Sequence, residues 1–145
     1  MSNAADRRPE RIATATDRDL RRKQAIRDKT EHRLRLAEHL PEPDRLLLEQ
    51  VLGQGVPMAK IARLTGRRPG DIRRRVVKLI NHMDKPLYRF LIVHGDLLDP
   101  RTPRTAERVI FGVRSLRATA DDLGLSLHRV RQHMRTVTAL NRLTA

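Results

Sequence analysis

The sequence contains no cysteine and no tryptophan, and its only aromatic side chains are Tyr88, Phe90 and Phe111. The lack of cysteine excludes a disulfide framework, a Cys-ligated zinc site and a Cys nucleophile. So few rings argue against modules that stack single-stranded bases on aromatic platforms. No apolar run approaches the roughly 20 residues of a membrane span, and the N-terminus has no apolar signal core. We therefore expect a cytoplasmic protein with no membrane partner.

Motifs of catalysis are also missing from the sequence. It has no Walker loop, dinucleotide fingerprint, zinc-protease motif or paired-carboxylate motif. The six histidines are scattered along the chain. His128 and His133 would lie about 140° apart around a helix, which is a poor arrangement for sharing a metal. We expect a protein that is not an enzyme and that has no catalytic residue, metal or cofactor.

Positive charge is what the sequence has in excess. Its 145 residues include 31 Lys and Arg against 17 Asp and Glu, for a net charge of +14. This length allows one medium domain or two small ones. Such an excess of cations is typical of nucleic-acid binders, and it also fits ribosome-associated or membrane-surface proteins. The location of the charge must therefore decide between these classes.

The chain divides into four segments, and none shows the alternating pattern of a strand, so we predict an all-α protein. Segment 1–40 is a basic N-terminal arm and helix, with the arm over 1–15 and the helix over 16–39, capped by Thr16 or Asp17. Its role is open between a phosphate-binding arm, a docking helix and a solvated tail. Segment 85–103 is a short helical connector whose apolar residues are expected to pack between the flanking segments, namely Leu87, Phe90, Leu91 and Ile92.

The remaining segments, 41–84 and 104–145, repeat one architecture. Each is predicted to contain a helix, a short second helix, a glycine turn and a longer third helix. A helix-turn-helix needs a small residue in its first helix, a glycine four positions later and an apolar residue six positions beyond that. The sequence supplies these residues twice, as Ala62, Gly66 and Ile72 and as Ala120, Gly124 and Val130.

The third helix of each segment is predicted to have an apolar face and a basic face. The inward residues are Ile72, Val76, Leu79 and Met83 in the first copy and Leu127, Val130, Met134 and Val137 in the second. A basic helix of this kind fits the roughly 12 Å major groove of DNA. The candidates for reading bases are Arg68, Arg73, Arg74, Asn81, Ser126, His128, Arg131, Gln132 and Arg135. The candidates for holding phosphates are Arg67, Arg75, Lys78 and Arg129.

These residues resemble region four of bacterial sigma factors, the helix-turn-helix domain that reads the −35 promoter element. The first copy resembles it through Leu40-Pro41-Glu42-Pro43-Asp44-Arg45, Leu46-Leu47-Leu48-Glu49, Gly55, Ile61-Ala62, Gly66 and Ile72-Arg73. The second copy resembles it more closely, from Ala120 through Leu123-Gly124-Leu125-Ser126 to Arg129-Val130-Arg131-Gln132. The first copy departs from the family at Arg67-Arg68-Pro69-Gly70, and the second departs at His133.

The resemblance implies sequence-specific binding of duplex DNA and contact with RNA polymerase. A complete sigma factor is not expected, because nothing here corresponds to the aromatic-bearing domain that melts the −10 element. The sequence thus predicts a nucleoid-associated bacterial transcription regulator with two tandem helix-turn-helix modules. Two alternatives stay open: an adaptor that docks on RNA polymerase or another regulator, and a protein that binds structured RNA, for instance on the ribosome. The tandem arrangement favours a monomer.

Overall fold

The computed structural model describes residues 3–144, and the side chains of residues 16–144. Within this range the chain is all-helical and has no strand, as the sequence predicts. The α-helices are α1 (Asn3–Ala37), α2 (Glu42–Leu48), α3 (Met58–Thr65), α4 (Pro69–Met83), α5 (Pro86–His94), α6 (Thr102–Ala106), α7 (Leu116–Leu123) and α8 (Leu127–Thr144). Helices α2 and α6 continue directly into π-helical turns, Glu49–Gly53 and Glu107–Phe111, and a 3₁₀ turn, Gly95–Leu97, follows α5.

Helix α1 is much longer than the sequence analysis predicts. It begins at Asn3, so Thr16 and Asp17 lie inside the helix and neither is its N-cap. The predicted arm, 1–15, is helical from Asn3 onward, and residues 1 and 2 lie outside the described range. The prediction relied on apolar periodicity, which is weak here. The segment has no glycine, however, and is rich in Ala and Arg, which are among the strongest helix formers.

The two halves of the chain share one arrangement at a constant offset of 58 positions. The π-helical turns, the short helices α3 and α7, and the starts of α4 and α8 all correspond at this spacing. Each π turn closes with an i to i+5 hydrogen bond, from Gln54 N to Glu49 O (3.0 Å) and from Gly112 N to Glu107 O (2.9 Å). We call α2 to α4 the first unit and α6 to α8 the second unit.

The turn between the last two helices of each unit depends on a glycine. Gly66 and Gly124 have φ values of 67° and 63°, in the left-handed region that side chains other than glycine's disfavour. The next amide returns to the preceding helix, from Arg67 N to Ala62 O at 3.0 Å and from Leu125 N to Ala120 O at 2.9 Å. These bonds satisfy carbonyls that the end of each short helix would otherwise leave open.

The inward faces predicted from the sequence form the core. Ile72, Val76, Leu79 and Met83 are all buried, as are Val130 and Val137, while Leu127 and Met134 are half-buried. The main cluster is continuous from α1, through the first unit and α5, to Ile110 and Val137 of the second unit. The four apolar residues of segment 85–103 pack as predicted, because Phe90 and Leu91 are buried while Leu87 and Ile92 are half-buried against this core.

Polar and aromatic contacts join α1, α5 and the second unit. The hydroxyl of Tyr88 donates a hydrogen bond to the carbonyl of Leu36 at 2.5 Å. Its ring meets Phe111 edge to face at a centroid distance of 5.0 Å, and Phe111 also stacks on His39. Burial raises the pKa of Tyr88 well above its ordinary value. Since this side chain is fully buried, it stays neutral and acts as a donor at the junction.

Candidate nucleic-acid interface

Helix α8 presents a basic face that points away from the core. The hydroxyl oxygen of Ser126 accepts a hydrogen bond from Arg129 N at 3.2 Å, so Ser126 is the N-cap of this helix. Its candidate side chains are all exposed: His128, Arg129, Arg131, Gln132 and Arg135. None of these five side chains has a hydrogen bond or an ion pair with the described part of the chain. Their donors therefore face solvent and are free to meet a ligand.

Helix α4 presents the corresponding face of the first unit. It starts at Pro69 with extended backbone at Arg68 and no side-chain cap, which is how the chain accommodates the unusual turn after Gly66. The exposed candidates on this unit are Arg67, Arg68, Arg73, Arg74, Lys78 and Asn81. Arg74 forms an ion pair with Asp71, one turn away, and its side chain remains 78% exposed. The cationic face of α4 is therefore partly balanced by its own acid.

Arg75 is used differently from the other candidates. Its guanidinium donates two hydrogen bonds to the carboxylate of Asp44 on α2, from Nε to Oδ1 at 2.9 Å and from Nη2 to Oδ2 at 2.7 Å. The side chain of Asp44 is only 13% exposed and that of Arg75 is 33% exposed. The sequence predicts that Arg75 holds a phosphate, but this is wrong, because in the structure its charge is balanced by Asp44 inside the first unit. This residue ties α4 to α2.

The second unit uses the equivalent position in the same way. His133 lies 58 positions after Arg75, and its Nδ1 is 2.7 Å from the hydroxyl oxygen of the buried Thr105 on α6. The resemblance to sigma region four predicts an apolar residue at this position. His133 instead forms a hydrogen-bonding contact between α8 and α6. The same structural position fastens the long helix in both units, with an ion pair in one and a hydrogen bond between histidine and threonine in the other.

Two basic residues that the sequence analysis missed extend these faces. Lys85 lines a shallow groove along α4 together with Arg73, Arg74 and Lys78. Arg142 lines a similar groove along α8 together with Arg131 and Arg135. Arg142 lies seven positions after Arg135, a spacing that keeps residues on one side of a helix, so helical periodicity could have identified it. Lys85 follows the end of α4, where no periodic pattern points to it.

A larger cleft of about 1050 Å³ lies between the two units. Its apolar lining comes from α2, α3 and α4 and includes Leu46, which is 44% exposed. Arg67 of the first unit and Arg108 of the second unit also line it. An open apolar cleft with cations beside it is a surface that could accept an acidic, amphipathic segment of another protein.

The described residues provide little for other chemistry. No cluster of three or more acidic or histidine side chains in residues 16–144 could hold a metal ion. Among the described helices, none combines the length and the apolar character that crossing a bilayer requires.

Comparison with known proteins adds no assignment. No protein-family model matches the chain, and no curated protein and no solved structure matches it.

Proposed function

We propose that this protein binds duplex DNA in a sequence-specific manner, with α3–α4 and α7–α8 acting as two tandem helix-turn-helix modules. Helices α4 and α8 would be the recognition helices in the major groove. The observation that carries the proposal is the free basic face of α8 directly after the left-handed turn at Gly124, with a second turn and basic helix 58 positions earlier. The residues that read bases would be Arg131, Gln132 and Arg135 in the second module.

The chemistry of these side chains supports that role. Arginine forms bidentate hydrogen bonds with guanine and glutamine does so with adenine in the major groove. The net charge of +14 supplies the attraction to phosphates that is independent of sequence. In line with the resemblance to sigma region four, we propose that the protein is a bacterial transcription regulator without enzymatic activity that acts at the nucleoid. RNA polymerase is a further candidate partner.

The cleft between the units favours a second function for the first module. Its apolar floor and its flanking Arg67 and Arg108 suit a protein partner better than DNA. In addition, two arginines of α4 are paired with acids, Arg74 with Asp71 and Arg75 with Asp44, whereas no candidate side chain on α8 is paired within the described residues. On this alternative, α8 binds DNA while the first module docks on RNA polymerase or another regulator.

A gel-shift series with three probes tests these functions. Purified full-length protein is titrated against random-sequence duplex DNA, duplex RNA and RNA polymerase at fixed salt. The proposal predicts a shift of duplex DNA at the lowest protein concentration, and a preferred sequence that emerges on selection from random duplexes. Tighter binding to duplex RNA would favour a ribosomal or RNA-binding role, and binding to polymerase alone would favour the adaptor.

A further inference from the structure

Helix α1 carries a row of cations that repeats every eleven residues. Asp17-Arg18 is followed by Arg22, and the same spacing recurs at Asp28-Lys29 and Arg33. Eleven residues make about three helical turns, so these four cations lie within roughly 60° of one another on one side of the helix. The sequence alone has the same pattern once more upstream, at Asp6-Arg7 and Arg11. We call Arg18, Arg22, Lys29 and Arg33 the α1 stripe.

The acidic residues of this helix lie mostly away from the stripe. Asp17, Asp28 and Glu31 are separated from the nearest stripe residue by at least about 80° around the helix, whereas Asp19 lies beside the stripe, about 60° from Arg22. Two of these acids have partners on their own side, since Asp17 pairs with Arg21 and Asp28 accepts a hydrogen bond from Gln24. Arg18, Arg22 and Lys29 have no partner in the described part of the chain and are exposed.

The stripe begins at the end of the α4 basic face. Nη2 of Arg33 lies 3.7 Å from Oδ2 of Asp84, the residue that follows α4, and Lys85 of the α4 groove comes next. Beyond this point only the last turns of α1 are buried, through Leu36 and Ala37. Every side chain from 16 to 29 is exposed. The stripe therefore leads from the α4 groove outward along a helix that leaves the body of the protein.

The chemistry of α1 selects its partner. An interfacial membrane helix needs an apolar face, but the exposed Leu20 and Ile26 lie about 120° apart and no other large apolar side chain is exposed on the described part of this helix. A second copy of α1 would place like charges side by side. A row of regularly spaced cations suits a regularly charged rod, which is what the phosphate backbone of a duplex presents.

We propose that the α1 stripe lies along the phosphate backbone of the same DNA duplex that α4 and α8 read. This inference rests on the proposed function. Residues 16–29 span about 20 Å of helix, which corresponds to about six base pairs of DNA. The stripe would thus extend the protected region on the α4 side without adding base preference, because phosphates carry no direct sequence information.

The test compares two full-length triple variants that remove the same charge from the same helix. The stripe variant is R18Q/R22Q/K29Q, and the control is K23Q/R27Q/R35Q, whose cations lie on other sides of α1. Affinity for one selected duplex is measured over a range of salt, and hydroxyl-radical cleavage of that duplex is mapped. Circular dichroism verifies that both variants keep their helix content.

In the stripe variant, log affinity should fall less steeply with log salt. The magnitude of the slope should decrease by about 2 to 3, at roughly 0.9 for each lost phosphate contact. Its protection should shorten by about six base pairs at one end, whereas the control keeps the wild-type slope and protection. Equal losses in both variants, or no loss in the stripe variant, would overturn the proposal. So would a loss that appears with duplex RNA but not with DNA.

The outcomes separate this inference from the proposed function. If the wild type binds a preferred duplex and Arg131→Ala relaxes the preference at one position while the stripe variant behaves as wild type, only the role of α1 is refuted. If the wild type does not bind duplex DNA at any salt concentration, the proposed function fails and the role of the stripe fails with it.

Discussion

Arg75 and Asp44 form a two-pronged ion pair between α4 and α2, with donor to acceptor distances of 2.9 and 2.7 Å. Asp44 is buried, so its carboxylate depends on this guanidinium for compensation of its charge. An arginine in a strongly basic stretch, Arg73-Arg74-Arg75, is thus part of the fold and differs in role from its exposed neighbours.

The first prediction separates these roles by stability. Arg75→Ala should lower the free energy of unfolding by about 1–3 kcal/mol, because it leaves the Asp44 carboxylate buried and unpaired. Arg73→Ala is the matched control, because Arg73 is exposed, and it should change the free energy of unfolding by less than about 0.5 kcal/mol. Urea denaturation followed by circular dichroism measures both values. A loss for Arg73→Ala as large as that for Arg75→Ala would contradict this assignment.

The second prediction concerns acid sensitivity at the junction of the units. Nε2 of His82 contacts the carbonyl of Ile110 at 2.5 Å, so this nitrogen carries the proton and donates it. Burial, assisted by Lys85, Lys78 and Arg75, lowers the pKa of His82 below its ordinary value of 6.5, against the opposing effect of that hydrogen bond. The unfolded chain therefore takes up a proton more readily than the folded one does. The free energy of unfolding therefore loses nothing to His82 above pH 6.5, and it decreases as the pH drops below that value.

Thermal melts at pH 7.5 and pH 5.5 test whether His82 makes the protein less stable in acid. The wild type should lose more stability on acidification than His82→Gln, which keeps a side-chain donor but cannot titrate. Exposed His128→Gln serves as the control and should keep the wild-type dependence on pH. Identical losses for the wild type and His82→Gln would show that another group causes the acid sensitivity.

The third prediction distinguishes base reading from phosphate binding. Arg131→Ala should cost about 1–3 kcal/mol of binding free energy on the preferred duplex and relax the preference at one position. Lys78→Ala should weaken all duplexes alike, since a phosphate contact carries no direct sequence information. Competition binding with specific and random duplexes measures both effects. If each variant scales specific and random binding equally, Arg131 is not a reading residue.

The fourth prediction concerns the tandem arrangement. Two recognition helices in one chain would let a monomer bind two different half-sites, about 10 base pairs or a multiple of that apart. In full-length protein, R73Q/R74Q and R131Q/R135Q should each remove protection from a different half of the footprint. An unchanged footprint for R73Q/R74Q would show that the first unit is structural or docks on protein. Full-length variants are required because the two units share one core cluster.

Much of the fold could be predicted because its signals are local. The spacing of Ile72, Val76, Leu79 and Met83 defines an inward face, and the glycines at 66 and 124 mark the turns. The longer third helix predicted after each glycine turn is present, as α4 and α8. Such features follow from helical periodicity and backbone sterics, and neither depends on distant parts of the chain.

The sequence does not predict the contacts of Arg75 and His133 or the full length of α1. The contacts depend on partners distant in sequence, and the length depends on a weak apolar periodicity. The Asp44 partner of Arg75 is 31 positions away, and Thr105 is 28 positions from His133. Charge and residue type alone do not show which of several arginines turns inward. The beginning of α1 is predicted too late because every side chain from 16 to 29 is exposed, so this part of the helix carries no apolar pattern that would mark it as helical.

The central claim is that exposed cations on α4 and α8 bind the phosphates and bases of duplex DNA. The most direct test is the affinity of the full-length protein for a selected duplex, measured from low to physiological salt. With about five or more phosphate contacts, log affinity should fall against log salt with a slope steeper than roughly 4. A flat response over this range would contradict the account.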